Sequence, residues 1–589
     1  GVLSVEQIAT RLQDRFRLLS SSSRMAPQRH RTLRAAIDWS HDLLSEPEKV
    51  LLRRLSVFAG WPLDMAEQVC ASDGGQPGAE TETGTELLPA GDVLDRLTGL
   101  ADKSLVIAEP DAQGEIRYRM LDTIRDYAAA RLAEAGETEM VRARFRAFAV
   151  AEVEHLALIG MAIVPATWAT RVGTFRRFDA ETGNLRQLLG WCLASGDVES
   201  GLRICVSMRP VWIVQGSFAE GTAWMDRFLA RAGDQPARVL GPAQVGRAQL
   251  ALVADHAEAA RRARAGLALC RVPGLEFWAA SALNLLAEVA LKLGRLDEAD
   301  AQAAEALSLA SGAGDGFNAG YAAGTRATVA AYRGDFGAAL KLGEQALAVA
   351  RQIDQQWAVA RTLLGLGDLA RVTGDQAAAR QRYREALSIL REVNARPEMA
   401  RCLAGLGRIE IVQGELTVAR EYFAESLELS RATGSRIGVI RGLDSFAALA
   451  LAQGRPERAV ELTAAAAALR RVAQLPDPPA GRTEQLLSQS GLGDAEIKEL
   501  WEAGSELGDT AVDLALEPAG PPSAAAADEL TARELQIAAA IARGLGNKAV
   551  AAELGIAPAT VARHVANIMA KLGFSSRAQI AKWSVSRGS

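Results

Sequence analysis

Apolar positions fall at helical spacing along most of the chain, and through its middle they carry a second, longer period. In ARTLLGLGDLARVTGDQAAARQRYREALSIL (360–390) the pattern predicts two helices. Gly367 lets the first pack closely, Gly374 ends it, and Ala379, Tyr383 and Ala386 line the inner face of its partner. Glycines at 294, 334, 374, 414 and 454 stand forty residues apart, with alanine five residues after each, at 299, 339, 379, 419 and 459. Twelve residues after each glycine, at 306, 346, 386, 426 and 466, only Ser426 is not alanine. Such self-similarity marks a helical solenoid, whose hairpins bury their apolar faces only by stacking. Degenerate copies, Gly216 with Gly221 and Ala254 with Ala259, extend it upstream and predict six to eight hairpins between about 140 and about 510. The glycine-rich SGAGDGFNAG (311–320) lacks the lysine of a phosphate loop and reads as a turn linking two hairpins.

A different pattern closes the chain. In GLGNKAVAAELGIAPATVARHVANIMAKLGF (544–574), Ala551, Gly555 and Val561 have the spacing of a helix-turn-helix: a small residue at the crossing, a glycine able to take positive φ, and an apolar lock. The second helix is expected to begin near Pro558 and stop at Gly573. Val561, Val565, Ile568 and Leu572 recur at i, i+4, i+7 and i+11, one stripe turned to the core. That fixes Thr560, Arg563, His564, Asn567 and Lys571 on the other face, where such side chains donate to phosphates or read base edges. Thr531 and Glu534 form a capping box for a preceding helix, and Ser575 and Ser576 are placed to cap a last one holding Ile580 and Trp583. Residues 525–589 hold eight Lys and Arg against four Asp and Glu, although the whole chain carries a formal net charge of −5. Positive charge is therefore concentrated where phosphates would lie.

The stretch LTARELQIAAAIARGLGNKAVAAELGIAPATVARHVANIMAKLGFSSRAQ resembles the LuxR-type DNA-binding domain of bacterial transcription regulators. Glu534, Gly544, Asn547, Lys548, Thr560, Val561, His564, Asn567, Ile568, Lys571, Leu572, Ser576 and Arg577 match the family pattern. The resemblance implies that Asn567, Lys571, Lys548 and Arg577 hold phosphates, with Asn547 in the same motif, while Thr560, Arg563 and His564 lie nearest the bases. The family's usual lysine after T-V is Ala562 here, which leaves readout to Arg563. The forty-residue array resembles tetratricopeptide repeats with a longer link between hairpins.

Ahead of the array, HRTLRAAIDWSHDLLSEPEKVLLRRLSVFAG predicts two helices separated near Ser45-Glu46-Pro47, and DVLDRLTGLADK a third. KSLVIAEPDAQGEIRYRML reads as a two-stranded hairpin around PDAQG, giving a winged-helix arrangement. Its third helix sets Asp92, Asp95 and Asp102 against Arg96 and Lys103, a poor electrostatic match to DNA. This segment resembles the winged-helix region that follows the nucleotide-binding core in NB-ARC-type signal-transduction ATPases. MLDTIRDYA (120–128) aligns with that family's M-H-D stretch, with Leu121 in place of the histidine, and LSVEQIATRLQDRFRLL resembles the end of the ATPase core. No G-x-x-x-x-G-K-[ST] occurs, so the chain as given is not expected to hydrolyse ATP. The chain begins with Gly1 rather than methionine, which leaves open both a missing N-terminal portion and an engineered start.

Composition adds exclusions. The five cysteines, at 70, 192, 205, 270 and 402, show no CxxC spacing, so neither a disulfide framework nor a zinc site is expected. His41 with Asp38, Ser40 and Asp42 reads as solvated helix surface, since consecutive helix positions diverge. No apolar run reaches membrane-span length, and a cytoplasmic location is expected. The expected fold is mostly α: the end of an ATPase core (1–27), a winged-helix module (28–135), a tetratricopeptide-like α-solenoid (140–512), a linker (513–527) and a four-helix LuxR-type helix-turn-helix domain (528–589). The expected function is sequence-specific regulation of transcription, non-enzymatic and without cofactor or metal. Double-stranded DNA, an effector or protein in the repeat groove, and RNA polymerase are the candidate partners, with a homodimer on DNA. Two alternatives stay open: the regulatory part of a nucleotide-driven switch, and a protein-binding scaffold with little DNA affinity.

Overall fold

The computed structural model describes residues 33–72, 88–111, 114–473, 475, 481–517, 530–572, 577, 580, 581, 583 and 584. The expected ATPase remnant at 1–27 and the capping residues Ser575 and Ser576 lie outside them. The chain forms two compact units. The first comprises the residues up to Leu158 with Gly173–Met208 and Arg227–Gly233; the second comprises Ile159–Val172, Arg209–Asp226 and everything from Asp234.

In the first unit, Ser45 and Glu48 form a capping box that starts the helix Glu46–Leu55, the Ser45 amide donating to Glu48 Oε2 at 2.8 Å. The helix expected third, Val93–Asp102, is the fourth among the described residues, because a helix that the sequence pattern missed, Leu63–Cys70, precedes it; the hairpin is present as β2 (Ile107–Pro110) and β3 (Ile116–Arg119). Its turn closes through Gly114, at φ 84°, while Asp111 Oδ1 accepts from the Glu115 amide at 3.0 Å. A third strand, β1 (Trp61–Pro62), pairs antiparallel with β3, so the sheet order is β1-β3-β2 rather than two strands. Two residues are too short to show alternation, which is why the sequence pattern missed β1. Trp61 is fully buried and stacks near Tyr118. Arg53 and Arg54 converge on Glu137, and Arg54 Nη1 also donates to the Cys70 carbonyl at 2.7 Å. Asn184 grips the backbone of this unit, accepting from Ala59 N and donating to Gly60 O, both at 2.7 Å.

In the second unit the array is regular. Glu276–Lys292, Leu296–Gly312, Gly316–Tyr332, Phe336–Gln352, Gln356–Val372 and Gln376–Glu392 are each 17 residues long, with three-residue links within and between hairpins. The expectation of a longer link between hairpins is therefore corrected: the extra residues of each forty-residue unit lengthen its helices. Gly294, Gly334, Gly374, Gly414 and Gly454 take φ between 71° and 91°, turning the chain within each hairpin. The links between hairpins use the same left-handed conformation at Gly274, Gly314, Asp354, Asn394 and Gly434. Asp315, Asp335 and Asp375 then cap the following helices, each accepting from the backbone three residues on.

The periodic small residues are the core. Ala299, Ala339, Ala379, Ala419 and Ala459 are all buried, as are Ala306, Ala346, Ala386 and Ala466. The exception, Ser426, is buried too, its hydroxyl donating to the Ala400 carbonyl at 2.7 Å. Gly367 lies against the Tyr383 ring so closely that a Cβ would stand 2.8 Å from it. Where a tether was expected from 513, the chain is still helical: Thr510–Leu516 buries Ala511, Val512 and Ala515 with the last hairpin, while 518–529 lie outside the described residues. Among the described residues, no helix is long and apolar enough to cross a membrane.

Candidate nucleic-acid interface

Three described helices build the C-terminal domain: Ala532–Ala542, Asn547–Leu554 and Pro558–Leu572. The first starts as the sequence required, with the Thr531 amide donating to Glu534 Oε2 at 2.8 Å and Thr531 Oγ1 accepting from Glu534 N at 3.3 Å. Gly544 (φ 82°) and Gly555 (φ 67°) make the two turns, positions that a β-carbon would strain. Ile537, Ile541, Val550, Ala551, Val561, Val565 and Ile568 form the core with Ile580, and Trp583 packs on it. Residues 577, 580, 581, 583 and 584 are themselves helical, beyond the third helix.

Core formation orients the other face. With Val561, Val565 and Ile568 turned inward, Ala562, Arg563, Ala566 and Asn567 are exposed, and Thr560 and His564 are half-buried at its margin. The His564 Nδ1 has no hydrogen-bond partner among the described residues. Lys548 and Lys571 sit in the second and third helices, their side chains outside the described residues. The backbone positions therefore gather Thr560, Arg563, His564, Asn567 and Lys571 on one helix, with Asn547 and Lys548 opening the helix before it.

Arg577 is differently engaged. Its guanidinium donates to Asn547 Oδ1 and to the Leu545 carbonyl, tying the chain after the third helix to the turn before the second. Two further arginines have structural partners that spacing did not reveal. Arg533 Nη2 donates to the Leu554 carbonyl at 2.5 Å, capping the end of the second helix, and Arg543 pairs with Glu553. That last pair neutralises the acidic residue of the second helix. The exposed face of the third helix, Arg563 included, carries no carboxylate.

Comparison with known proteins agrees with this geometry. Residues 528–584 match the family described as bacterial regulatory proteins, luxR family, and residues 278–352 and 322–392 match the tetratricopeptide repeat. The chain thus holds a LuxR-type helix-turn-helix domain and an array of tetratricopeptide repeats. A Mycobacterium tuberculosis protein provisionally named an HTH-type transcriptional regulator is 38% identical over 228 residues, 38% of this chain and 23% of that protein. The transcriptional regulatory protein UhpA of Escherichia coli is 49% identical over 55 residues, 9% of this chain and 28% of its own. The chain therefore spans about a quarter of the length of the curated relatives it matches. Among solved structures, a signal transduction ATPase with a tetratricopeptide repeat sensor from Pyrococcus horikoshii aligns with a TM-score of 0.42 at 17% identity, covering 84% of this chain and 67% of that one. Among the described residues, no group of three His, Cys, Asp or Glu side chains is placed to hold a metal ion.

Proposed function

We propose that the chain is a regulator of transcription that binds double-stranded DNA through its LuxR-type domain, under the control of an effector or partner held by the repeat array. The observation that carries this reading is the exposed, carboxylate-free face of the helix Pro558–Leu572, backed by a complete apolar core. In this reading Thr560, Arg563 and His564 face the base edges of a major groove, and Asn567, Lys571 and Lys548 hold phosphates. Arg577 and Asn547, already joined to each other, set the angle of the second helix against the third. A single domain of this size covers a short half-site, so the working form on DNA is a homodimer on a two-fold-related site, acting in the cytoplasm beside RNA polymerase.

The first unit fits this scheme as a winged-helix module between neighbours. The order helix, helix, β1, helix, helix, hairpin supports that reading. The helix Val93–Asp102, which precedes the hairpin, is unsuited to DNA, because Lys103 just after it pairs with Glu48 and Arg96 lies 3.9 Å from Asp92.

The test is selection of random-sequence duplexes by the purified full chain at about 0.15 M salt, followed by sequencing. Enrichment of an inverted repeat, with affinity falling steeply with salt, is the expected result. Absence of any enriched site for both the full chain and residues 525–589 would overturn the reading.

A further inference from the structure

The array carries a charge pattern that the stacking of its hairpins does not require. Arg361, Arg401 and Arg441 recur at the forty-residue period, one on the first helix of each of three successive hairpins. They curve inward. Lys292, at the end of Glu276–Lys292, lies within electrostatic reach of both Arg401 and Arg441, although Arg441 belongs to a helix four hairpins further on. Side chains so far apart in a stack approach one another only across the inside of its curve.

Two carboxylates share this space. Glu288 lies near Lys292, Arg361 and Arg401, and Glu398 near Arg361 and Arg401. Four cations thus face two carboxylates, an excess of two positive charges. The adjacent Arg408 and Asp368, which reach Arg441, add one charge of each sign and leave the excess unchanged. Burial pushes the Glu398 carboxyl above its ordinary range, which makes the excess no smaller.

Two of the four cations are paired within the cluster, Lys292 with Glu288 at 3.5 Å and Arg401 with Asp368 at 3.4 Å, and the other two are not. Among the described residues Arg361 and Arg441 form no ion pair, Arg361 instead lying 4.5 Å from the Tyr321 ring centroid and 4.9 Å from that of Trp357. The Tyr321 hydroxyl is held by Glu288, and the buried Trp357 Nε1 and Glu398 Oε2 have no hydrogen-bond partner among the described residues. Arg401 and Arg441 are exposed, while Lys292, Arg361 and Glu398 are half-buried. A net charge inside a concave surface costs self-repulsion unless an ion of opposite sign balances it.

We propose that this inward cluster is a receptor site for a small organic dianion, a dicarboxylate or a phosphate monoester, gripped by Lys292, Arg361, Arg401 and Arg441 with its carbon body against Tyr321 and Trp357. The carboxylates of Glu288 and Glu398 set the limit: they orient the cations and repel a polyphosphate or nucleic acid that would bring more charge than the excess can balance. The proposal rests on the reading of the array as the sensing part and gives that part a ligand class.

The experiment is isothermal titration of the full chain with succinate and with glycerol 1-phosphate, with acetate and glycine betaine as references. One dianion is expected to bind with a dissociation constant of about a millimolar or tighter, and acetate and betaine much more weakly. Which dianion wins identifies the source. Arg441→Gln, at an exposed position, and Lys292→Met are each expected to weaken binding about tenfold, while Arg563→Ala leaves it unchanged. No binding of either dianion, or equal binding by both lumen variants and the parent chain, would overturn the site. Loss of DNA selection with dianion binding intact would instead remove only the proposed regulator.

Discussion

Arg577 and Asn547 are joined across the C-terminal domain, the guanidinium of one donating to the side-chain carbonyl of the other and, through its second nitrogen, to the Leu545 backbone. Both residues belong to the motif that the LuxR-type resemblance marks as DNA-contacting, yet the bond they make is internal. It fixes the turn at Gly544 from which the second helix starts. Arg577→Ala is therefore expected to raise amide hydrogen exchange over 547–554, at a cost of about 1–3 kcal/mol, and to weaken DNA binding on all sequences alike. Its dependence on salt separates the two roles. A bracing arginine leaves the slope of log affinity against log salt unchanged, whereas a phosphate contact lowers it by about one.

Arg563 and Lys571 lie on the same helix and should fail differently. Arg563 is exposed on the face opposite Val561 and Val565, one residue after the alanine that stands where the family pattern has lysine. Arg563→Ala should lower preference for the selected site by about 1–3 kcal/mol relative to random DNA, and Lys571→Ala should weaken both by similar factors. Competition binding with specific and random duplexes measures this directly; an equal loss for both variants on both DNAs would take readout away from Arg563.

Glycines of the array answer three different demands, which alanine substitution should separate. At Gly367 and Gly407 a Cβ would come within 2.8 Å of Tyr383 and 2.4 Å of Phe423, so alanine forces helices apart at about 1–3 kcal/mol. Gly374 has open space but φ of 91°, and alanine there costs about 1 kcal/mol through the backbone. Gly365 has neither restraint and lies exposed inside a helix, so Gly365→Ala should stabilise by up to about 1 kcal/mol. Chemical denaturation of the four variants gives the order, and a destabilised Gly365→Ala would contradict the packing described.

The array and the helix-turn-helix were legible because each rests on repetition or on several steric demands met together. Alanine every forty residues announces its own burial, and Val561, Val565 and Ile568 fix one face of their helix and thereby the other. What stayed hidden depends on long-range partners. The β1 strand exists only because Trp61 finds Tyr118, Arg533 and Arg543 look like any surface arginine until the carbonyl and carboxylate they meet are brought near, and the internal bonds of Arg577 show only once the Leu545 carbonyl is beside it. The inward excess of charge was hidden for a related reason: residues forty apart share a register, but only the curvature of the stack brings Lys292 towards Arg441.

The first unit contains a pH-sensitive fastening at Glu137. Burial alone would raise its carboxyl, but hydrogen bonds from Arg53 and Arg54, with their charges, outweigh burial and hold it at about 2 against an ordinary 4.5. A group depressed by folding stabilises the native state above its unfolded value, and that stabilisation is lost as the pH falls from about 4.5 towards about 2. Arg54 is itself buried and also holds the Cys70 carbonyl, so losing the carboxylate leaves a charge stranded between helices. Glu137→Gln should accordingly destabilise the unit by about 3–5 kcal/mol at neutral pH and flatten its acid sensitivity. Amide exchange of the Glu46–Leu55 helix, followed for parent and variant from pH ~6 down to ~3, reads both effects. Parallel acid profiles for the two proteins would show that the fastening lies elsewhere.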